Sequence, residues 1–307
     1  MKKIAISILN YKDNKDTKEC IASLQNLDFP HNFVSIIIVN NGLEGKYTSE
    51  LASKIKIQDR ISIIDIKDNL GFSGGHNIAI QQALKMGADC ILILNNDTAV
   101  EKNLLKELLK VAESEENIGV VVPKIYFTPG FEFNKNRYKN EELGRVFWYA
   151  GGKMDWNNVI GHHRGVDEID IGQYDKIEET DFASGCCMLL KKDVFEKVGM
   201  LDGKYFLYYE DSDLSMRLKK AGYKIVYVPR AVVWHKNAGS AGGSGSKLQD
   251  YYITRNRLLF GVRYAPLRSK LALVKESLAL FLKGRYWQRR GALDFYLQRF
   301  GKGSFKI

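Results

Sequence analysis

The first 125 residues alternate short, almost wholly apolar runs with longer stretches of helical periodicity. Residues 4–9 are apolar except for Ser7, and residues 34–39, 61–66, 90–94 and 120–122 follow in the same style. Between them, residues 14–27 place Cys20, Ile21, Leu24 and Leu27 on one helical face, and 101–114 reads as a second helix. Strands that are apolar along both faces and separated by helices predict an α/β fold with a mostly parallel sheet covered on each side. Ligands of such sheets sit beyond the carboxyl ends of the strands. Four strand ends here carry polar or turn residues: Asn10-Tyr11, Asn40-Asn41-Gly42, Asn69-Leu70-Gly71 and Asn95-Asn96-Asp97. One polar strand end is ordinary; four in register predict a ligand site.

From 128 to 180 the pattern dissolves into segments rich in Gly, Tyr, Trp and charge, expected to form loops and irregular strands. Regularity returns at 183–190, with helices near 192–198 and over 211–221, and a strand at 223–228. Residues 239–246 are a flexible loop by composition, and helices follow to the end. The expected division is a domain over 1–246, with halves of about 1–125 and 126–246, and a helical extension over 247–307.

Charge changes the picture of that extension. Of the formal net charge of +10, residues 247–307 hold 14 Lys/Arg against 3 Asp/Glu, so the remainder is close to neutral. A basic tail calls for an anionic partner, a membrane surface or a polyanion. Its apolar positions (Leu271, Leu273, Val274, Leu278, Phe281, Leu282) alternate with Arg285, Tyr286, Trp287, Arg289 and Arg290. That pattern suits an interfacial helix on an anionic membrane; packing on the domain or homodimer formation would explain the apolar stripe as well. Confinement of the basic excess to the tail, without a nucleic-acid motif, weighs against a nucleic-acid-binding protein. No run is long enough to span a bilayer. The opening MKKIAISILNY loses its apolar character at Asn10, too early for a signal peptide. Cys20, Cys90, Cys186 and Cys187 lack CxxC spacing and read as reduced core thiols of a cytoplasmic protein.

Three places carry candidate chemistry: Asp97 at a strand end, Glu210-Asp211 opening a helix, and His235 after a strand. Each alone is as easily a cap or a satisfied loop residue. The glycines at 71, 74 and 75 do not match GxGxxG, which weighs against the alternative of a dinucleotide-dependent oxidoreductase.

The order of the motifs is more specific. ILNYK (8–12), VNNG (39–42), NLGFSGGHNIAI (69–80), LNNDT (94–98) and nearly all of 184–235 resemble the family-2 glycosyltransferases, especially their rhamnosyltransferase-like branch. The resemblance spans about residues 3–265. It implies a GT-A fold, a nucleotide-diphosphate-sugar donor, a divalent metal and inversion at the anomeric carbon. It also implies a glycan or polyprenyl-diphosphate-linked acceptor for the cell envelope, reached from the inner face of the membrane. The family's DXD acid matches Asp97, and His235 matches a second metal ligand of some relatives. Asn95-Asn96-Asp97 lacks the first carboxylate, and an imidazole beside a single carboxylate favours Mn²⁺ over Mg²⁺. Asp211 matches the family's general base, and Glu210 beside it suits acceptor hydroxyls. The donor is expected against Tyr11, Asn40 (an Asp in most relatives), Asn95 and Asn96, with a glycine loop over 71–75 letting Asn69 and Asn77 face it. Arg255 and Arg257 suit phosphate by fork geometry, or belong simply to the basic tail. The branch points to dTDP-rhamnose first and UDP-sugars next.

Overall fold

The computed structural model describes residues 2–11, 14–30, 33–42, 60–237 and 245–306. The apolar runs form the parallel half of one sheet. β1 (Ile4–Asn10), β2 (Val34–Asn41), β3 (Ile61–Ile66) and β4 (Cys90–Asn95) lie in the order β3-β2-β1-β4, all parallel. The interior of β1 and all of β4 up to Leu94 are buried. Helix α1 (Asn14–Leu24) packs on β1, and α2 (Gly71–Lys85) packs on β1 and β2, so alternation is lost as expected for a covered sheet.

The segment expected as a glycine loop is instead the first turn of α2. Gly71 has φ +72°, and a Cβ there would meet the carbonyl oxygen of Phe206 at 2.3 Å. At Gly75 a Cβ would meet Leu9 at 2.2 Å. Close approach is the reason for these glycines, but it is an approach of protein to protein.

Beyond β4 come β5 (Thr98–Val100), α3 (Leu104–Ala112) and β6 (Ile118–Phe127). The irregular stretch holds the short strands β7 (Phe147–Tyr149), β8 (Gly152–Asp155), β9 (Ile160–His163) and β10 (Glu178–Glu179), with β8 and β9 forming their own hairpin. β11 (Cys187–Lys191) runs antiparallel to both β4 and β6 and joins the two halves of the sheet. Helices α4 (Lys192–Val198) and α5 (Glu210–Lys220) lead to β12 (Lys224–His235), a single strand whose register with β6 slips between Val228 and Val232. Pro229 within that slip has no N–H for the ladder, which is why the sequence reads as two strands.

The extension consists of α6 (Lys247–Tyr264), α7 (Leu267–Lys283) and α8 (Tyr286–Tyr296). Residues 238–244, most of the expected flexible loop, lie outside the described residues; Ser246 caps α6 by accepting from the Gln249 amide. The extension builds its core with the rest of the chain. Leu258 and Phe260 of α6, Leu273 of α7 and Ala292 of α8 cluster with Val159 and Tyr205, while Tyr251 and Tyr252 cluster with Phe206. Cys20, Cys90, Cys186 and Cys187 are free and buried.

Candidate active site

Pairing of β5 with β12 sets Thr98 opposite His235. The preceding carboxylate therefore meets the imidazole: Asp97 Oδ1 lies 3.1 Å from His235 Nε2. His235 is buried, the Trp148 ring stands edge-on 4.5 Å away, and its Nδ1 has no hydrogen-bond partner among the described residues. Either tautomer leaves a fault. A proton on Nε2 leaves a lone pair buried at Nδ1; a proton on Nδ1 leaves two acceptors facing each other. A divalent cation held by Asp97 and His235 would remove the second fault. The pair could thus hold a metal, although no group of three or more His, Cys, Asp or Glu is gathered among the described residues. The remaining ligands would come from substrate phosphate and water, as is usual for metals of this kind.

Asp211 lies in the first turn of α5. Its Oδ2 accepts from the Gly185 amide (3.0 Å), and its Oδ1 from the Ser212 amide (2.6 Å) and hydroxyl (3.2 Å). Burial pushes its carboxyl above the usual value, and these donors oppose the rise without cancelling it. Glu210 rises well above the usual range through burial first and the Asp211 charge second, and its Oε2 has no hydrogen-bond partner among the described residues. Repulsion by Asp211 thus adds to burial at Glu210. Glu210 is buried and takes no part in the cleft wall, so the expected role at the acceptor does not fit it. Asp213 is locked structurally by Arg217, Arg263, Tyr205 and Tyr264.

Two adjacent residues tie these corners together. The Gly185 amide holds Asp211, while the carbonyl of Cys186 accepts from the Asn95 amide at 2.9 Å, two residues before Asp97. On the Asp211 side lies a cleft of about 380 Å³, walled by Asp211, Tyr209 and His163 and by Arg257, Glu276 and Leu280. His163 donates from Nδ1 to the Trp148 carbonyl at 3.1 Å, and burial lowers its pKa to about 4, leaving Nε2 a neutral acceptor. The Trp148 ring lies 4.3 Å from His163 and 4.5 Å from His235, so it spans from the cleft to the Asp97–His235 pair. Sequence reasoning missed both His163 and Trp148, which sit in the patternless stretch.

At the strand ends a chain of polar contacts crosses the sheet. Asn40 donates to Asp65 (2.6 Å) and accepts from Asn10 (2.8 Å); Asn10 accepts from Thr17 (3.0 Å), which accepts from Asn96 (2.9 Å). Asn40 is thus buried with both ends of its amide engaged, and the carboxylate at this edge is Asp65. Tyr11 is half-buried beside Tyr252, and Asn69 accepts from the Gly71 and Asn41 side.

Three expected donor contacts do not fit their places. Asn77 exchanges both amide hydrogen bonds with the Leu201 backbone (2.8 and 3.1 Å), so it faces α4's exit rather than a nucleotide. Arg255 is 0% exposed, with its donors on Asn256 and on backbone carbonyls. Arg257 is forked onto Glu276 (2.7 and 3.0 Å) and donates to the Asn158 carbonyl.

Comparison with known proteins agrees with this arrangement. A family model described as "Glycosyltransferase like family 2" matches residues 2–261. The chain is 25% identical over 257 residues to the low-salt glycan biosynthesis hexosyltransferase Agl10 of Haloferax volcanii, covering 83% of this chain and 74% of that one. It is 27% identical over 226 residues to the N-acetylglucosaminyl-diphospho-decaprenol L-rhamnosyltransferase of Mycobacterium tuberculosis, covering 68% of each. Among solved structures, GalNAc-T7 with UDP, GalNAc and Mn²⁺ superposes with a TM-score of 0.61 at 14% identity, over 90% of this chain and 54% of that one. The mannosyltransferase PcManGT from Pyrobaculum calidifontis with GDP-Man and Mn²⁺ gives 0.58 at 12%, over 99% and 76%. The fold is GT-A, and the chain belongs to the family-2-like glycosyltransferases.

Proposed function

We propose that this glycosyltransferase moves a sugar, with inversion, from a nucleoside-diphosphate donor to a hydroxyl of an envelope glycan precursor, with Asp211 as general base. The observation that carries the proposal is the Gly185–Cys186 tie, which links the buried Asp211 carboxylate at the start of α5 to Asn95 at the end of β4, two residues before Asp97 of the Asp97–His235 pair. The nucleotide lies over the ends of β1, β2 and β4, where Tyr11, Asn69, Asn95 and Asn96 are grouped. Asp97 and His235 hold a divalent cation, Mn²⁺ or Mg²⁺, which when bound neutralises the charge left on the departing diphosphate. The acceptor enters the cleft between β9 and α7. Asp211 takes the proton of its hydroxyl as oxygen bonds to the anomeric carbon and the carbon–diphosphate bond breaks; one displacement inverts the centre. His163 Nε2 accepts a second hydroxyl of the acceptor and fixes its orientation.

The names of the relatives support a deoxyhexose or hexose donor and a polyprenyl-diphosphate-linked acceptor. A panel of dTDP-rhamnose and UDP- and GDP-sugars, offered with a synthetic N-acetylglucosaminyl-diphospho-lipid, tests this by nuclear magnetic resonance of the product. One donor should give a glycoside of anomeric configuration opposite to the donor's. Retained configuration, or no acceptor-dependent product from any donor, contradicts the reading.

The extension also supports a membrane-surface role. Among the described residues no helix is long and apolar enough to cross a membrane. On α7, however, Leu267, Leu271, Leu278 and Leu282 are 55–81% exposed along one stripe, next to exposed Arg268, Lys275 and Lys283. The opposite side of α7 lines the cleft through Leu273, Glu276, Ser277 and Leu280. Anionic lipid under the stripe would bring a lipid-linked acceptor to the cleft mouth.

A further inference from the structure

We infer that Arg255 and Asn256 on α6 are positioning residues for transfer: they fix the backbone of 204–208, which in turn sets the Asp211 carboxylate against Gly185. This inference rests on the reading of Asp211 as the base. Phe206, Tyr208 and Tyr209 have φ of +66°, +69° and +72°, a left-handed conformation that bulky residues avoid unless their surroundings impose it. Three such residues end at Tyr209, immediately before α5, and Asp211 follows two positions later.

The surroundings that impose this conformation come from α6. Arg255 donates to the carbonyls of Lys204 (3.2 Å), Tyr205 (2.9 Å) and Gly301 (2.7 Å). Its Nε donates to Asn256 Oδ1 at 2.9 Å, which orients that amide. The Asn256 NH₂ then faces the carbonyls of Tyr205 (2.8 Å), Leu207 (2.8 Å) and Tyr208 (2.9 Å). Asn256, like Arg255, is fully buried. The rings of Tyr251 and Tyr252 lie 5.4 and 5.0 Å from the guanidinium, and no direct ion pair with a carboxylate forms among the described residues. Burying a guanidinium is costly, and here directed hydrogen bonds, the tyrosine rings and the charge of Asp294, which accepts from the Tyr251 hydroxyl, offset it. From the other side, the Phe206 carbonyl accepts from the Phe72 amide at 2.7 Å at the start of α2. The loop is therefore held between α6 and α2. Because Thr254, Arg257 and Leu258 of α6 also line the cleft, the acceptor wall and the base form one unit. The Gly185 contact on Asp211 is 3.0 Å long, so a loop shift of about 1 Å breaks it.

A double-mutant cycle separates positioning from general support of the fold. Asn256→Ala, Asp211→Asn and the double variant are compared for turnover, and UDP and dTDP are each titrated with Mn²⁺ to measure nucleotide affinity. Asn256→Ala should lower kcat at least about tenfold with nucleotide affinity within about twofold, and should cost nothing further in the Asp211→Asn background. Parent-like turnover of Asn256→Ala, or an equal loss in both backgrounds, overturns the inference. Where Asn256→Ala does not fold, Arg255→Lys keeps a buried cation but loses the fork, and it carries the same expectation and the same contrary outcome. Full activity of Asp211→Asn removes the base reading and this inference together. An inactive Asp211→Asn beside a fully active Asn256→Ala removes this inference alone.

Discussion

His235 Nε2 lies 3.1 Å from Asp97 Oδ1 because antiparallel pairing of β5 with β12 folds the end of one strand onto the end of another. On the proposed reading, a sequence with one carboxylate where its family has two would gain its second metal ligand from a distant strand. Asp97→Ala and His235→Ala should each weaken Mn²⁺-dependent nucleotide binding at least about tenfold, the scale on which metal-site substitutions act. EDTA should abolish transfer by the parent, and added Mn²⁺ should restore it. Calorimetry with and without chelator checks this; full activity in EDTA contradicts it.

Stability should depend on a second buried pair, far from the chemistry. Lys124 Nζ contacts Asp170 (2.7 Å) and Asp175 (2.6 Å), and the Tyr126 hydroxyl also bonds Asp170. Removing one partner of a buried ion pair costs about 3–5 kcal/mol, so Lys124→Ala should lower the urea midpoint sharply. Burial alone would raise the Asp170 pKa, but Lys124, Tyr126 and the Gly172 amide outweigh it and the carboxyl sits below its usual value. The folded pKa is depressed, so this contribution is present above the unfolded value of 3.8 and is lost as pH falls through the depressed one. The gap between parent and variant should therefore narrow below about pH 4. A gap that stays constant with pH contradicts the assignment.

Membrane adsorption is tested by surface substitutions, because the buried side of the extension is needed elsewhere. Cutting after Pro266 would remove Leu273 and Ala292 from the cluster that holds Tyr205. Replacing Leu271, Leu278 and Leu282 with Ser touches only exposed positions. The parent should co-sediment with phosphatidylglycerol-containing vesicles at low salt, leave them as salt rises, and ignore neutral vesicles. The triple variant should bind less to the anionic vesicles at low salt. Equal binding by both proteins contradicts the proposal, and dimer loss by size exclusion in the variant would assign the stripe to a second copy.

The sequence makes some of this architecture plain and hides the rest for physical reasons. β1 and β4 are legible because burial on both faces leaves Ser7 as the one polar position before their terminal asparagines. Asp97, Asp211 and His235 stand out only through the order of motifs around them, since each is an ordinary strand-end or cap residue by itself. Arg255 reads as part of a basic tail because nothing local announces that a guanidinium will be buried among carbonyls of residues 204, 205 and 301. Asn77 reads as nucleotide-facing for the same kind of reason: its partner, Leu201, is 124 residues away. The glycines at 71 and 75 signal close approach correctly, but the approaching group is Phe206 or Leu9 rather than a ligand.

The pH profile should report the environment of Asp211. Its carboxyl must be ionised to accept a proton, and burial raises its pKa against the Gly185 and Ser212 donors. Transfer should therefore fall as pH drops through a value above the ordinary carboxylate pKa of 3.8. Glu210, whose carboxyl burial and the Asp211 charge push above its usual range, should leave this limb unaltered when changed to Gln. An acid limb at the ordinary value contradicts the burial of the base.

Acceptor-dependent release of nucleoside diphosphate by the parent and by Asp211→Asn tests the role of Asp211 most directly. With Mn²⁺, donor and acceptor present, the parent should turn over. The variant should bind nucleotide with parent affinity yet lose at least about a hundredfold in transfer, the scale of a positioned general base. Near-parent turnover by Asp211→Asn would contradict the assignment of the base and, with it, the chemistry proposed for the cleft.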